Sequence, residues 1–168
     1  MNKVLNIGSL NVDHVYRVDR FVRPGETIGC RGYERFAGGK GLNQSIALAH
    51  AGANVWHAGK AGAADPWLVD FLNEHGVRTE HVQTVPGASG HAIIQVSAEG
   101  ENAIVICGGA NREIATRDVE RAIAHFDRGD TLLLQNEVSA IPEAMAAAKR
   151  RGMTLVMNPA PMDRSVEA

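Results

Sequence analysis

The 168-residue chain has no run of about 18 apolar residues, which excludes a transmembrane helix. Aromatic residues make up only 5%, and 17 basic against 19 acidic side chains leave a formal net charge of −2. That composition lacks both the basic footprint and the stacking surface of a nucleic-acid binder. Cys30 and Cys107 stand alone without C-x-x-C spacing, a usage that predicts a reducing, cytoplasmic setting rather than a disulfide scaffold. The N-terminus, Met1 to Gly8, turns polar too early for a secretory signal. Seven histidines include no H-E-x-x-H and no Cys/His quartet, so each reads as a surface or turn residue and no metal site is expected. Neither Gly39-Lys40-Gly41 nor Gly59-Lys60-Ala61 completes a phosphate loop. The dinucleotide fingerprint fails at Gln44, where a third glycine is needed. That counts against a nucleotide-dependent oxidoreductase.

What remains is 45% hydrophobic and rich in glycine, with 18 residues of that type. The length suits one domain with a real core. Lys3 to Ile7 reads as a buried strand, Asn43 to Ala51 as a helix stopped by Gly52, and Asn54 to Lys60 as strand. Asp65 to His75 reads as a helix with Pro66 in its first turn, and a further helix runs from Thr116, as cap, to Phe126. Thr131 to Leu134, Pro142 to Arg151 and Thr154 to Met157 add strand, helix and strand. This alternation predicts an α/β fold with a parallel sheet flanked by helices. Extended pieces near Val15–Val18, Thr27–Phe36, Ala92–Val96 and Ala103–Ile106 predict a second, small antiparallel sheet. The mixed charges between Arg112 and Arg128 read as a solvated helix face, and Met145, Met153 and Met157 as core. Little follows the last apolar strand, so one side of the parallel sheet is expected to be left uncovered.

The strongest local signal is Gly38-Gly39-Lys40-Gly41-Leu42-Asn43-Gln44-Ser45, opening a small-residue helix. Glycines let a ligand approach the main chain, the helix start offers free N–H groups, Lys40 brings charge and Asn43 a donor and an acceptor. A polyhydroxylated or anionic small molecule would suit that set; a flexible turn with a surface lysine is the plainer alternative. Asn11 and Asp13 follow the first strand, and Glu137 and Asn158 follow later ones. In open α/β sheets ligands gather beyond the carboxyl ends of the strands. A carboxylate there that accepts two sugar hydroxyls discriminates well, because a missing hydroxyl strands a buried acceptor.

These residues resemble the ribokinase-like, PfkB-type carbohydrate kinases. The glycine stretch from Gly38 to Ser45, with Gly52 and Gly62, is similar to the family's N-terminal signature. Further matches are Gly8-Ser9-Leu10-Asn11-Val12-Asp13, Pro24-Gly25-Glu26-Thr27, Gly100-Glu101-Asn102, Gly109-Ala110-Asn111 and Asn158-Pro159-Ala160-Pro161. The resemblance implies that Asn11, Asp13, Gly38, Gly39, Lys40, Asn43 and Glu137 bind a sugar, with Asn111 and Asn158 as further candidates. It implies that strands at about 14–36 and 91–107 form a lid that closes over the sugar, excludes water and makes a homodimer. The implied reaction is ATP-dependent phosphorylation of a pentose, D-ribose at its 5-hydroxyl. It would use Mg2+ and a monovalent cation.

The family's catalytic aspartate, in Gly-Ala-Gly-Asp, and its Asn-x-x-Glu motif do not occur in residues 1–168. The expectation is therefore the N-terminal portion of a ribokinase-like domain, truncated before the nucleotide-binding half. It would carry no catalytic residue of its own, bind ATP and Mg2+ poorly, and be inactive alone. A non-catalytic sugar-binding or dimer-partner module is the alternative. Asp65, in Gly62-Ala63-Ala64-Asp65, departs from the family's acidic pair and has no assigned role.

Overall fold

The protein was analysed as a computed structural model that describes residues 2–162. Five strands, β1 (Lys3–Ile7), β4 (Asn54–Gly62), β5 (Arg78–Val85), β8 (Thr131–Gln135) and β9 (Thr154–Asn158), form an all-parallel sheet in the order β5-β4-β1-β8-β9. Four helices cover it: α1 (Lys40–His50), α2 (Trp67–Glu74), α3 (Thr116–Ile123) and α4 (Ile141–Arg151). The strands' period of two sorts their side chains between two cores. Leu5, Ile7, Leu132 and Leu134 pack with Val119, Ile123, Phe126, Ala144 and Ala148 from the α3/α4 side. Val55 and Ala61 pack with Leu42, Leu68 and Leu72 from the α1/α2 side.

Strand β5 has no counterpart in the sequence reading. Its segment, Arg-Thr-Glu-His-Val-Gln-Thr-Val, is an edge strand with much of its surface in solvent, so no apolar run announces it. At the opposite edge, Leu155 and Val156 of β9 are exposed, and no further strand among the described residues pairs with β9. No helix among the described residues is long and apolar enough to cross a membrane.

The second sheet has the order β3-β2-β6-β7, built from β2 (Asn11–Arg17), β3 (Gly32–Gly38), β6 (Gly90–Val96) and β7 (Asn102–Cys107). It is mixed rather than antiparallel: β2 pairs antiparallel with β3 and β6 with β7, but β2 and β6 run parallel. The reason is topological. Both β2 and β6 leave the same end of the parallel sheet, after β1 and β5, and so travel in one direction. Strand β2 begins at Asn11, so Asn11 and Asp13 sit on a strand rather than in a turn. By register, Asn11, Asp13, Phe36, Gly38, Ala92 and Ile106 share one face; His14, Tyr33, Ile93 and Val105 share the other.

Several expectations are corrected in the body. Thr116 is the first residue of α3 and not its cap; Asp118 reaches back instead to accept a hydrogen bond from the Ala115 N–H at 3.0 Å. Asp118 is also buried rather than solvated, and pairs with the buried Lys60 ammonium at 2.7 Å. Met145 is exposed, whereas Met153 is core. His57 is fully buried, unlike the surface residue the sequence suggests.

Candidate functional site

The link Gly8-Ser9-Leu10 carries the chain from β1 into β2, over the start of α1. Two glycines make the contact possible: a methyl on Gly41 would lie 2.6 Å from Gly8 Cα, and one on Gly8 would lie 2.6 Å from Gly41 Cα. Gly39, just before α1, has φ 96°, in the left-handed region that favours glycine. Ser9 ties the two segments together. Its carbonyl accepts the Leu42 N–H at 3.0 Å and its hydroxyl oxygen accepts the Gly41 N–H at 3.1 Å.

Glu137, two residues beyond β8, completes the tie. Its Oε2 accepts the Ser9 hydroxyl at 2.6 Å and the Lys40 N–H at 2.9 Å, while Oε1 accepts the Lys40 ammonium at 2.7 Å. Burial pushes the Glu137 carboxyl up, but those donors, led by Lys40, outweigh it and hold the group below its ordinary value. Three protein donors thus hold the glutamate that sequence reasoning singled out, making it the staple of the glycine turn. The Lys40, Gly41 and Leu42 N–H groups, which the sequence suggests are free for a ligand, are instead taken by Glu137 and Ser9, and the Asn43 N–H donates to the Gly39 carbonyl at 3.0 Å.

Asn11 and Asp13 project from the same face of β2. Asn11 is buried, and its Oδ1 accepts the Asn111 side-chain N–H at 2.7 Å; Asn111 Oδ1 in turn accepts the Leu10 N–H at 3.0 Å. Asp13 leans over Gly38, where any side chain would overlap its carboxylate. Burial, and then the nearby Glu137 charge, push the Asp13 carboxyl up. Among the described hydrogen bonds none satisfies the Asp13 carboxylate, which leaves its oxygens available as acceptors.

A cleft of about 150 Å³ opens here, lined by Asn11, Ile106, Asn111, Arg112, Asn136 and Glu137, with Gly108 and Pro161 at its rim. It is smaller than the ~300–1,000 Å³ clefts that take drug-sized ligands, and Asn11, Asn111, Arg112, Asn136 and Glu137 bring polar groups to it. Asn43 does not line this cleft and is exposed on the first turn of α1. Asn158 closes its own turn by accepting the Ala160 N–H at 3.2 Å, and that turn is fixed to Asn136 through the Ala160 and Pro161 carbonyls. Asp65 lines a separate pocket of about 250 Å³ with His14, Arg35 and His91, on the lid face opposite Asp13.

Sequence reasoning missed Ser9, Arg112 and Asn136. Ser9 stood inside the Gly8–Asp13 match and could have been found; nothing local marks the other two. Among the described residues no three His, Cys, Asp or Glu side chains converge as a metal site.

Comparison with known proteins agrees with this geometry. The family model described as pfkB family carbohydrate kinase matches residues 1–167. A ribokinase of Staphylococcus aureus is 40% identical over 166 residues, covering 95% of this chain and 55% of that protein. A ribokinase of Haemophilus influenzae is 37% identical, covering 96% and 55%. Among solved structures, a ribokinase from Cryptococcus neoformans in complex with ADP superposes with a TM-score of 0.81 at 35% identity, covering 99% of this chain and 52% of that one. An Arabidopsis thaliana ribokinase complexed with ribose and ATP gives a TM-score of 0.79 at 27% identity, covering 96% and 55%. The chain spans about half the length of the relatives it matches. With residues 1–167 matched by the family model, the chain belongs to the pfkB family of carbohydrate kinases.

Proposed function

We propose that this chain carries the sugar-binding part of a ribokinase-type enzyme, whose reaction is transfer of the ATP γ-phosphate to the 5-hydroxyl of D-ribose. The observation that carries the reading is the pairing of an unsatisfied carboxylate with a stapled helix start. Asp13 offers acceptors to sugar hydroxyls, and Glu137 and Ser9, which take the Lys40, Gly41 and Leu42 N–H groups, fix the glycine turn beside it. Asn11, held by Asn111, supplies a group of fixed orientation beside them. Lys40 and Glu137 neutralise one another, so the cleft suits a neutral polyol. Gly38 and Gly39 admit the ligand to the backbone.

The lid sheet would close over the sugar and exclude water. Its outer face exposes Tyr33, Ile93 and Val105, the last at 68%, and β7 is an open edge. An apolar face of this kind, with a free edge, suits a second copy of the chain. In this reading the family's acceptor-activating aspartate and nucleotide site are not supplied by residues 1–168, which bind sugar without turning over ATP.

The test is calorimetric titration with D-ribose, alongside a coupled assay for ADP release. Saturable ribose binding without turnover is the expected result. Absence of ribose binding by the folded chain overturns the reading, and turnover overturns the assignment of the catalytic groups. For the lid, Val105→Glu should shift a dimer to monomer in sedimentation; a wild-type monomer would refute the lid contact.

A further inference from the structure

Beneath the glycine turn lies a layer of polar side chains in what is otherwise a hydrophobic interior. Asn6, His57 and Gln135 come from the three adjacent strands β1, β4 and β8, and all point toward α1. Together with Ser45 of α1 they are fully buried. Burying four polar side chains is costly unless they are paired. Here they are paired in series, with Gln135 Oε1 alone left without a partner among the described residues. His57 Nε2 contacts the Gly8 carbonyl at 3.1 Å, and His57 Nδ1 meets Ser45 Oγ at 2.8 Å. Asn6 Nδ2 donates to Ser45 Oγ at 2.8 Å and to the Gly41 carbonyl at 2.8 Å. Gln135 Nε2 donates to Asn6 Oδ1 at 2.9 Å and to Gln44 Oε1 at 2.7 Å.

The protons in this chain can be assigned. A carbonyl only accepts, so His57 must carry its proton on Nε2 and donate to Gly8. Nδ1 is then a lone pair, and Ser45 donates its hydroxyl proton to it. Ser45 Oγ in turn accepts from Asn6, whose second N–H goes to Gly41. Each of these donors is used once. The neutral imidazole that this requires is the form burial favours: His57 is lowered to about 4 by desolvation, against the opposing Gly8 bond.

Both ends of the relay grip main chain, and they grip the two segments that form the cradle. Gly8 is held through its N–H by Ala58 at 3.0 Å and through its carbonyl by His57. Gly59 leaves the room: a methyl there would lie 2.8 Å from the Gly8 oxygen. From above, Ser9 and Glu137 hold the same two segments. We propose that His57, Ser45, Asn6 and Gln135 are positioning residues that fix the Gly8–Ser9 link against the α1 start, and so set the geometry of the sugar-binding turn. The part concerning sugar rests on the function proposed above.

The experiment combines backbone amide hydrogen exchange with D-ribose titration on the full chain carrying His57→Phe, His57→Gln, His57→Asn or Ser45→Ala. Glutamine can still reach the Gly8 carbonyl with its Nε2, whereas phenylalanine cannot and asparagine is too short. In His57→Phe and His57→Asn the amides of Gly41 and Leu42 should exchange about tenfold faster, with those of α4 and β9 unchanged, and ribose Kd should rise by a similar factor. His57→Gln should restore both readouts toward wild type. Ser45→Ala removes one oxygen without adding volume and should give the same local pattern if the phenylalanine variant fails to fold. Uniform acceleration over the whole chain, or none at Gly41 and Leu42, overturns the positioning role. If the wild type does not bind ribose, the functional reading fails, while the exchange pattern still decides this one.

Discussion

Replacing Glu137 by glutamine separates the charge of the staple from its shape. The carboxylate accepts from the Ser9 hydroxyl, the Lys40 N–H and the Lys40 ammonium. In the best amide orientation, glutamine keeps its oxygen on the Ser9 and Lys40 N–H side and turns its NH₂ toward the ammonium. The Lys40 side chain is 35% exposed and can swing into solvent, so its share is largely screened and contributes little. What remains is the conversion of two buried charge-assisted bonds to neutral ones, about 1 kcal/mol each, or about 2 kcal/mol in all. Urea unfolding at neutral pH measures it.

The sign of the pH dependence follows from Glu137 lying below its ordinary value when folded. Its stabilisation is present above the unfolded value, about 4.3, and is lost as pH falls through the folded one, so wild type and variant should converge in acid. A second readout is independent of stability. The Glu137 charge is one cause of the raised Asp13 carboxyl, behind burial. Removing that charge should lower the Asp13 titration midpoint, followed by carboxyl carbon NMR, without abolishing the shift due to burial. A stability loss below about 0.5 kcal/mol together with an unmoved Asp13 would refute the reasoning.

Gly41→Ala places a methyl against the Gly8 backbone, so the link and α1 must part; overpacking of about 1–3 kcal/mol exceeds the ~1 kcal/mol helix gain of alanine over glycine. Loss of stability in urea and weakened ribose binding should appear together. Lys60→Met leaves Asp118 buried beside Gln83 and Arg121 without its closest cation, costing about 3–5 kcal/mol, whereas Lys60→Met with Asp118→Leu should cost far less. Asp118 is raised by burial but carried down to about 2 by Lys60 and its other donors. The stability it contributes should be full above about pH 4 and lost as pH falls toward 2, a dependence the double variant lacks. Ala140, ahead of α4, has φ 59°; Ala140→Gly relieves about 1 kcal/mol of left-handed strain, partly offset by unfolded-state entropy, and should raise the thermal midpoint slightly.

The parallel sheet was legible because its inner strands are nearly continuous apolar runs with helices between them, as at Leu132–Leu134 and Ala144–Ala148. Edge strand β5 was not, because its residues answer to solvent as much as to the core. The glycine turn, Asn11, Asp13 and Glu137 announced themselves by residue type at strand ends. The pairing of β2 with β6 is set by where the two strands leave the body, which no local pattern records. His57 and Asp118 misled for one physical reason: each is polar by type and buried by virtue of a partner distant in sequence, Gly8 for the first and Lys60 for the second. Asn43 matched a motif yet lies exposed on the first turn of α1.

The central claim is that the cleft between the glycine turn and β2 holds a pentose. Its most direct test is titration of the isotopically labelled chain with D-ribose, followed through backbone and side-chain amide resonances. The account predicts saturable shifts confined to Asn11, Asp13, Gly39 to Gly41 and Asn111, with a Kd no weaker than about 1 mM, the upper end of the usual range for enzyme substrates. A well-dispersed spectrum that ribose leaves unchanged, or shifts elsewhere in the fold with those residues still, would contradict it.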